Sequence, residues 1–368
     1  GNIFCEEPFL TDDLSLFAKI KNLSNSLNIG YNEFNCSLLF KPYDVSKEDK
    51  SPYKVFTPFY RKASENIAVD SPLGAPKNLS FQNTIIKTKL DDLCLLDSFN
   101  WYEKFKYHWD ISESGALSLL ENFVNSSVCN YKKGRDYPSL KSNSRLSPYI
   151  RFGMVSVNRI WHEINNLECN ENTIHFKSEL GWREFSYYLL YHFPELKNKN
   201  LNIKFDEFDW ENCPKKISAW KKGETGFPII DAGMKELWQT GYMHNRIRMV
   251  VASFLVKNLS VDWRIGEAWF WDCLLDADYA SNIASWQWVA GTGADAAPYF
   301  RIFNPILQGQ KFDRNGTYTL KYLPMLKKIP INFLQKPWEY NDGSNYFKPI
   351  VDYKESRANA LLKYSLIN

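Results

Sequence analysis

Only at its start does this chain read strand, helix, strand. Residues 3–9 are strand-like, 12–27 repeat apolar residues at helical spacing, and 30–40 alternate well enough for a second strand. A parallel sheet has to be covered on both faces by further strands and helices. Residues 1–62 hold too little chain to supply them, so they read as the last part of an α/β unit whose natural beginning lies upstream. Residues 63–92, with Pro72, Gly74, Pro76 and no helical period, read as a linker. From Leu95 onward helical patterns dominate. The expected fold is therefore mostly α: an all-helical body over 93–368, preceded by a remnant of a Rossmann-like α/β domain.

Composition narrows the class of function. Hydrophobic residues make up 44% and charged residues 24% of the 368, an ordinary globular balance far from that of disorder. The longest mainly apolar run, 249–256, falls well short of the ~20 residues that span a bilayer. Residues 1–10 lack the basic-then-apolar order of a secretory signal. No membrane partner and a cytoplasmic location are expected. Seven cysteines lie scattered with no CxxC pair and no Cys–His cluster, which suits reduced packing residues and no structural metal. With 45 basic against 42 acidic residues, a nucleic-acid site has to be a local patch. Aromatic residues reach 16%, with 13 Trp, enough to furnish a core and leave some for stacking on a flat ligand.

Four stretches carry candidate chemistry. Over 231–259 a helical pattern puts Ile247, Val250, Val251, Phe254 and Leu255 on one apolar face. Asn245, Arg248, Met249 and Ala252 fall on another face; an Arg and an Asn there would ordinarily be solvated, but the interleaved Met and Ala suggest burial against something polar. Over 179–193, Glu179, Trp182 and Arg183 share one side of a helix and form a plausible recognition surface. The segment YKKGRDYPSLKSNSRLSPYIR, 131–151, holds six basic residues against Asp136. Within it Asn143, Ser144 and Ser147 precede Pro148, which suits a helix start able to bind phosphate or simply a capped surface helix. Asp276, Asp278 and Asn282 precede the WQW of 286–288. The two carboxylates lack a third ligand at metal spacing, which leaves pairing with Arg248 or acceptance of ring N–H groups from a bound heterocycle.

Taken in order, YKVFTPF (53–59), RDYPSLKSNSRLSPYIRFG (135–153), ELGWREF (179–185), TGFPIIDAGM (225–234), TGYMHNRIRMVVASFLVK (240–257), DWRIGE (262–267) and DADYASNIASWQWVAGTGADAAPYFRIFNP (276–305) resemble the photolyase/cryptochrome flavoprotein family. Within it the chain looks most like the bacterial class I photolyases that act on cyclobutane pyrimidine dimers. The resemblance implies an antenna domain, present here in its last portion, joined by the linker to a helical domain that buries a bent FAD. It places Tyr131, Asn143, Ser144, Arg145, Leu146 and Ser147 around the phosphates. Arg183, Asn245, Arg248, Asp276, Asp278 and Asn282 are placed around the ribose and flavin ring, with Arg248 and Asp276 as an ion pair. Asn143 departs from the family pattern, which usually has Thr there. Whether a folate or deazaflavin antenna chromophore is held by so short an antenna portion is left open.

The same resemblance implies the activity. Excited reduced FAD passes an electron to a pyrimidine dimer flipped out of DNA. Trp182 and Trp288 are the expected stacking walls, with Glu179 at the pyrimidine edge and Met249 filling the gap. Arg135 and Arg246 are expected at the flanking phosphates. Trp210, Trp263 and Trp286 match the family's tryptophan chain that reloads the flavin; from the residues alone each would be a core anchor. A monomer acting on dimer-containing DNA is expected. The alternative is a cryptochrome that signals through partners without repair. Asn282, Met249, Trp182 and Glu179 favour repair.

Overall fold

The computed structural model describes residues 1–368 except 10, 67–68, 70, 75, 79, 81–87, 96–99, 341–345 and 368. Strand β1 (Asn2–Glu6) pairs in parallel with β2 (Gly30–Phe34), Asn2 opposite Gly30 and Glu6 opposite Phe34, and helix α1 (Thr11–Ser26) makes the crossover. Both strands are shorter than their sequence patterns. Pro8 has no N–H to give a ladder. After Phe34 the Asn35 side chain bonds both the N–H and the carbonyl of Leu38, closing a turn.

The rest is helical, as its periodicity requires. Helix α2 (Phe56–Asn66) buries Phe59 and Ala63 against α3 (Glu171–His192). Their close approach depends on Gly181: a Cβ there would meet the Tyr60 ring at 2.4 Å. The expected division at 62/63 thus falls within a helix, and much of the remaining linker stretch lies outside the described residues. Asn170 caps α3 and bonds reciprocally with Thr173.

Helix α3 feeds two cores. Phe176 and Leu180 enter a cluster with Phe123, Tyr131, Leu146 and Ile160. One turn on, Phe185 and Tyr188 enter the main core, which holds Trp220, Val251, Phe254, Trp263 and Trp286. A helix that contributes to both cores fixes everything mounted on it, including the stretch from His175 to Tyr187.

The expected continuous helix over 231–259 is two helices, α4 (Pro228–Thr240) and α5 (Asn245–Ser253), followed by a π-helical turn at Phe254–Asn258. Gly241 closes α4 at φ +67°, a conformation that favours glycine. His244 then caps α5, its Nδ1 accepting the Arg246 N–H. Helices α6 (Trp263–Cys273) and α7 (Tyr279–Ala290) pack together, and Gly266 makes room for the Trp286 ring, which a Cβ would meet at 2.1 Å. Among the described residues no cysteine is in a disulfide, no group of side chains could hold a metal ion, and no helix is long and apolar enough to cross a membrane.

Candidate functional site

The loop between α4 and α5 is the mount of the first cluster. Leu275 N donates to the Gly241 carbonyl, drawing the start of the Asp276 segment against this loop. Arg248 Nε donates to the Met243 carbonyl at 2.7 Å, which aims the guanidinium away from its own helix. Its Nη2 then reaches both carboxylate oxygens of Asp276, at 2.8 and 3.0 Å. Asp276 also accepts the Ser147 hydroxyl at 2.6 Å. The Asp276 side chain is 3% exposed and that of Arg248 25% exposed. Charges this deep are tolerated because they are paired and hydrogen-bonded. Tyr242, which the sequence reading did not single out, lies between Arg248 and Arg145, its ring 5.2 and 5.1 Å from the two guanidiniums.

Ser147 therefore does not act as a cap. It occupies the first turn of a short helix, Ser147–Arg151, and gives its hydroxyl to Asp276. Ser144 Oγ takes a long contact, 3.4 Å, from Leu146 N. Leu146 itself is buried in the second core, and Asn143 is half-buried. Arg145 stands at φ +54° and is exposed, with its guanidinium 4.3 Å over the Trp109 ring. Tyr131 is buried beneath Arg135.

A second cluster joins α3 to α7. Asp278 caps α7 through the Ser281 N–H and accepts the Tyr187 hydroxyl at 2.6 Å. Arg183 lies 4.8 Å over the Tyr187 ring, but its hydrogen bonds run to the Ser37 carbonyl and to Glu184. It clamps the N-terminal segment to α3, and burial beside these groups sets its geometry.

On the next turn of α7, Asn282 Nδ2 donates to Glu267 Oε1 at 2.8 Å and to the Glu267 carbonyl at 3.1 Å. Burial holds the Glu267 carboxyl above its ordinary range. Asn245 and Met249 sit on α5, the first exposed and the second half-buried.

The third cluster is basic. Arg135 forms a two-pronged pair with Glu179, one prong at 2.9 Å, and donates to His175 Nε2 at 2.7 Å. Burial and the adjacent guanidinium hold His175 below its usual range, so this nitrogen accepts. Next to it Arg246 pairs with Asp136 at 2.6 Å and lies 4.5 Å over Phe312. The Arg246–Asp136 pair lines a groove of about 570 Å³, with Lys132, Lys133, Lys311 and Phe312 among its other walls, and Arg135 adjoins Asp136 in the chain. Interleaved cations and aromatic rings are what a nucleic-acid backbone and its bases require.

The tryptophans divide. Trp263 and Trp286 are fully buried, Trp263 donating to Asn200 at 2.9 Å and Trp286 edge-on to Phe270 at 5.0 Å. Trp210 is half-buried against Phe208. Trp220, also missed in the sequence, lies 6.3 Å from Trp286. Trp288 is half-buried on α7. Trp182 stacks on Phe56 at 3.9 Å and 10°, so one of its faces is already taken.

Residues 176–366 match the FAD binding domain of DNA photolyase, and residues 1–77 match a DNA photolyase model. The chain belongs to the photolyase/cryptochrome family. Residues 176–366 are the family's FAD-binding domain. Among relatives, it is 43% identical to a deoxyribodipyrimidine photo-lyase of Agrobacterium fabrum, over 91% of this chain and 73% of that one. Its fold superposes on a bacterial class III photolyase from Agrobacterium tumefaciens with a TM-score of 0.90 at 40% identity, covering all of this chain and 79% of that one. A Synechocystis cryptochrome follows at 0.86 and 27%, covering 98% and 78%. The family expectation holds, and the structure matched at 0.90 is a class III enzyme where the sequence resemblance points to class I.

The residues present fit an FAD. A flavin edge alternates N–H and carbonyl groups, and Arg248 beside Asp276 offers one donor and one acceptor side by side. With its Nδ2 committed to Glu267, Asn282 has its Oδ1 left as acceptor.

Proposed function

We propose that this protein is a light-driven photolyase that repairs cyclobutane pyrimidine dimers in DNA. What supports this reading most is the placement of a basic, aromatic-lined groove walled by Asp136 and Arg246, with the Arg135–Glu179 pair adjoining Asp136 in the chain, on the same scaffold that carries the Arg248–Asp276 pair and Asn282. Bound reduced FAD would supply one-electron chemistry driven by light. The protein's own residues do the rest. Arg248, Asp276 and Asn282 hold the ring edge, with Asp278, Asn245 and Arg183 around it, and Asn143 to Ser147 with Tyr131 border the phosphates. Glu179, Met249, Trp182 and Trp288 receive the flipped dimer. Arg135 and Arg246 hold its flanking phosphates, and Trp210, Trp263 and Trp286 carry electrons inward.

The domain reading is an α/β portion ahead of a linker and a helical body that binds both FAD and DNA. The protein is read as a cytoplasmic monomer, in keeping with its seven free thiols. A signalling cryptochrome is the second reading, supported by the fold shared with the Synechocystis protein. One experiment separates them: illuminate the reduced protein with thymine-dimer DNA and follow the return of thymine absorbance. Recovery that needs both light and protein supports repair, and no recovery with flavin bound and DNA engaged sinks it.

A further inference from the structure

The two arginines best placed for DNA backbone are both already occupied. Arg135 spends its fork on Glu179 and a further N–H on His175, while the Tyr131 ring lies beneath it; only 14% of its side chain is exposed. Arg246, which lines the groove, is paired with Asp136. The two carboxylates and the two guanidiniums interlock, since Arg135 and Asp136 are adjacent in the chain. By contrast Lys133 and Lys311 have no carboxylate partner among the described residues.

Resting on the repair reading above, we propose that Glu179 and Asp136 determine damage specificity by keeping these arginines from the DNA backbone until a lesion's base edge replaces Arg135 on Glu179. A guanidinium exchanges a carboxylate for a phosphate at little net cost, because both accept its fork. What decides the exchange is the carboxylate left behind. Glu179 is 28% exposed, and its partners are Arg135 and a neutral His175. Stripped of Arg135 it would be a half-buried anion lacking a charged donor, which is costly.

Undamaged duplex offers phosphates but no donor for Glu179, since its base N–H groups are paired and stacked. A flipped pyrimidine pair brings ring N–H groups to that carboxylate. The same exchange is therefore opposed on intact DNA and compensated on a lesion. The lysines supply weak binding to both. The Asp136–Arg246 pair repeats the device in milder form, as Asp136 is 39% exposed and tolerates release into water.

The test is dark binding, by fluorescence anisotropy over a salt series, of dimer-containing and undamaged duplexes of one sequence. Glu179→Gln keeps the shape and removes the charge. It should raise undamaged affinity roughly fivefold and steepen the log–log salt slope by about one phosphate's worth, ~0.9, while dimer affinity falls. Adding Arg135→Ala should abolish the gain. Asp136→Asn should raise undamaged affinity through Arg246 with dimer affinity retained, and it decides the matter if Glu179→Gln loses its flavin and fold. Wild-type undamaged affinity and slope in both single variants would overturn the proposal. A wild type that neither prefers dimer DNA nor repairs it in light would overturn the repair reading instead.

Discussion

Asn282 and Glu267 are locked together across the α6–α7 contact: both hydrogen bonds from the Asn282 amide nitrogen end on Glu267, one on its carboxylate and one on its carbonyl. An amide can present either end to a ligand, and this clamp selects the oxygen.

Glu267→Ala should therefore leave the amide held by the backbone carbonyl alone, loosening its orientation and weakening acceptance of a proton-bearing ring nitrogen. A hydrogen bond of about 1 kcal/mol that favours the reduced, protonated flavin corresponds to roughly 20 mV on a two-electron couple. Spectroelectrochemistry of the flavin-loaded variant should show a midpoint lower by about that amount. Glu267→Gln, which can still accept, should restore it. A midpoint unmoved by Glu267→Ala would mean that Glu267 does not orient Asn282.

Arg248 and Arg246 are two residues apart yet should fail differently. Arg248→Ala leaves Asp276 buried with only the Ser147 hydroxyl, a loss of the order of 3–5 kcal/mol for a deep broken pair. Melting temperature and flavin occupancy should both drop. Arg246→Ala leaves Asp136 to water, at a cost of about 1 kcal/mol or less, and should mainly weaken DNA binding. Equal flavin loss in the two variants would show the α5 faces to be wrongly assigned.

What the sequence disclosed follows from the range of its signals. Periodicity is local, so the helical body and the apolar face of Ile247, Val250 and Val251 were legible. Motif resemblance carried Arg248, Asp276 and Asn282. Periodicity could not show that Gly241 and His244 interrupt the 231–259 stretch, because the apolar pattern continues in phase on both sides; glycine followed by a capping histidine was the available signal. The partners that set each group's chemistry escaped for a different reason. Glu267 lies 15 residues from Asn282, Asp136 lies 110 from Arg246, and Tyr187 lies 91 from Asp278. No spacing rule reaches across helices. The sequence offered Trp182 as a recognition residue and gave no sign of its packing, since Phe56 comes from a helix 126 positions earlier.

His244 gives the fold a pH dependence with a definite sign. Its Nδ1 accepts the Arg246 N–H, and burial next to Arg246 and Arg248 pushes its pKa down to about 3. Below its unfolded pKa near 6.5 the unfolded chain takes a proton that the folded ring refuses. Stability conferred by the neutral ring is thus present above pH 6.5 and is lost as pH falls toward 3. The slope from this residue approaches about 1.4 kcal/mol per pH unit midway. Chemical denaturation of wild type and His244→Gln from pH 4.5 to 7 should show the difference between them shrinking with acidity, and a constant difference would refute the assignment.

Trp286 touches Phe270 and fills the space that Gly266 leaves. Trp286→Phe should keep flavin and DNA binding but stop photoreduction of oxidised flavin, while chemically pre-reduced protein still repairs dimers. Loss of repair in the pre-reduced variant would merge two roles that the proposed function keeps apart.

Trp182 tests whether a residue can serve the core and a ligand at once. Its stack on Phe56 occupies one face, and the ring is only half-buried. Trp182→Ala should therefore lose stability, below the 3–5 kcal/mol of a fully buried Trp, and also lose discrimination of dimer over undamaged DNA. A stacked base is worth about 1–3 kcal/mol. Trp182→Phe keeps a ring against Phe56 and should restore the melting temperature more fully than the discrimination, because the smaller ring covers less of a pyrimidine pair. Neither change alters charge, so the salt slope of DNA binding should stay at the wild-type value in both. If discrimination survives in Trp182→Ala once stability is matched by temperature, the second face of Trp182 meets no lesion, and Trp288 would be left to stack on the dimer alone.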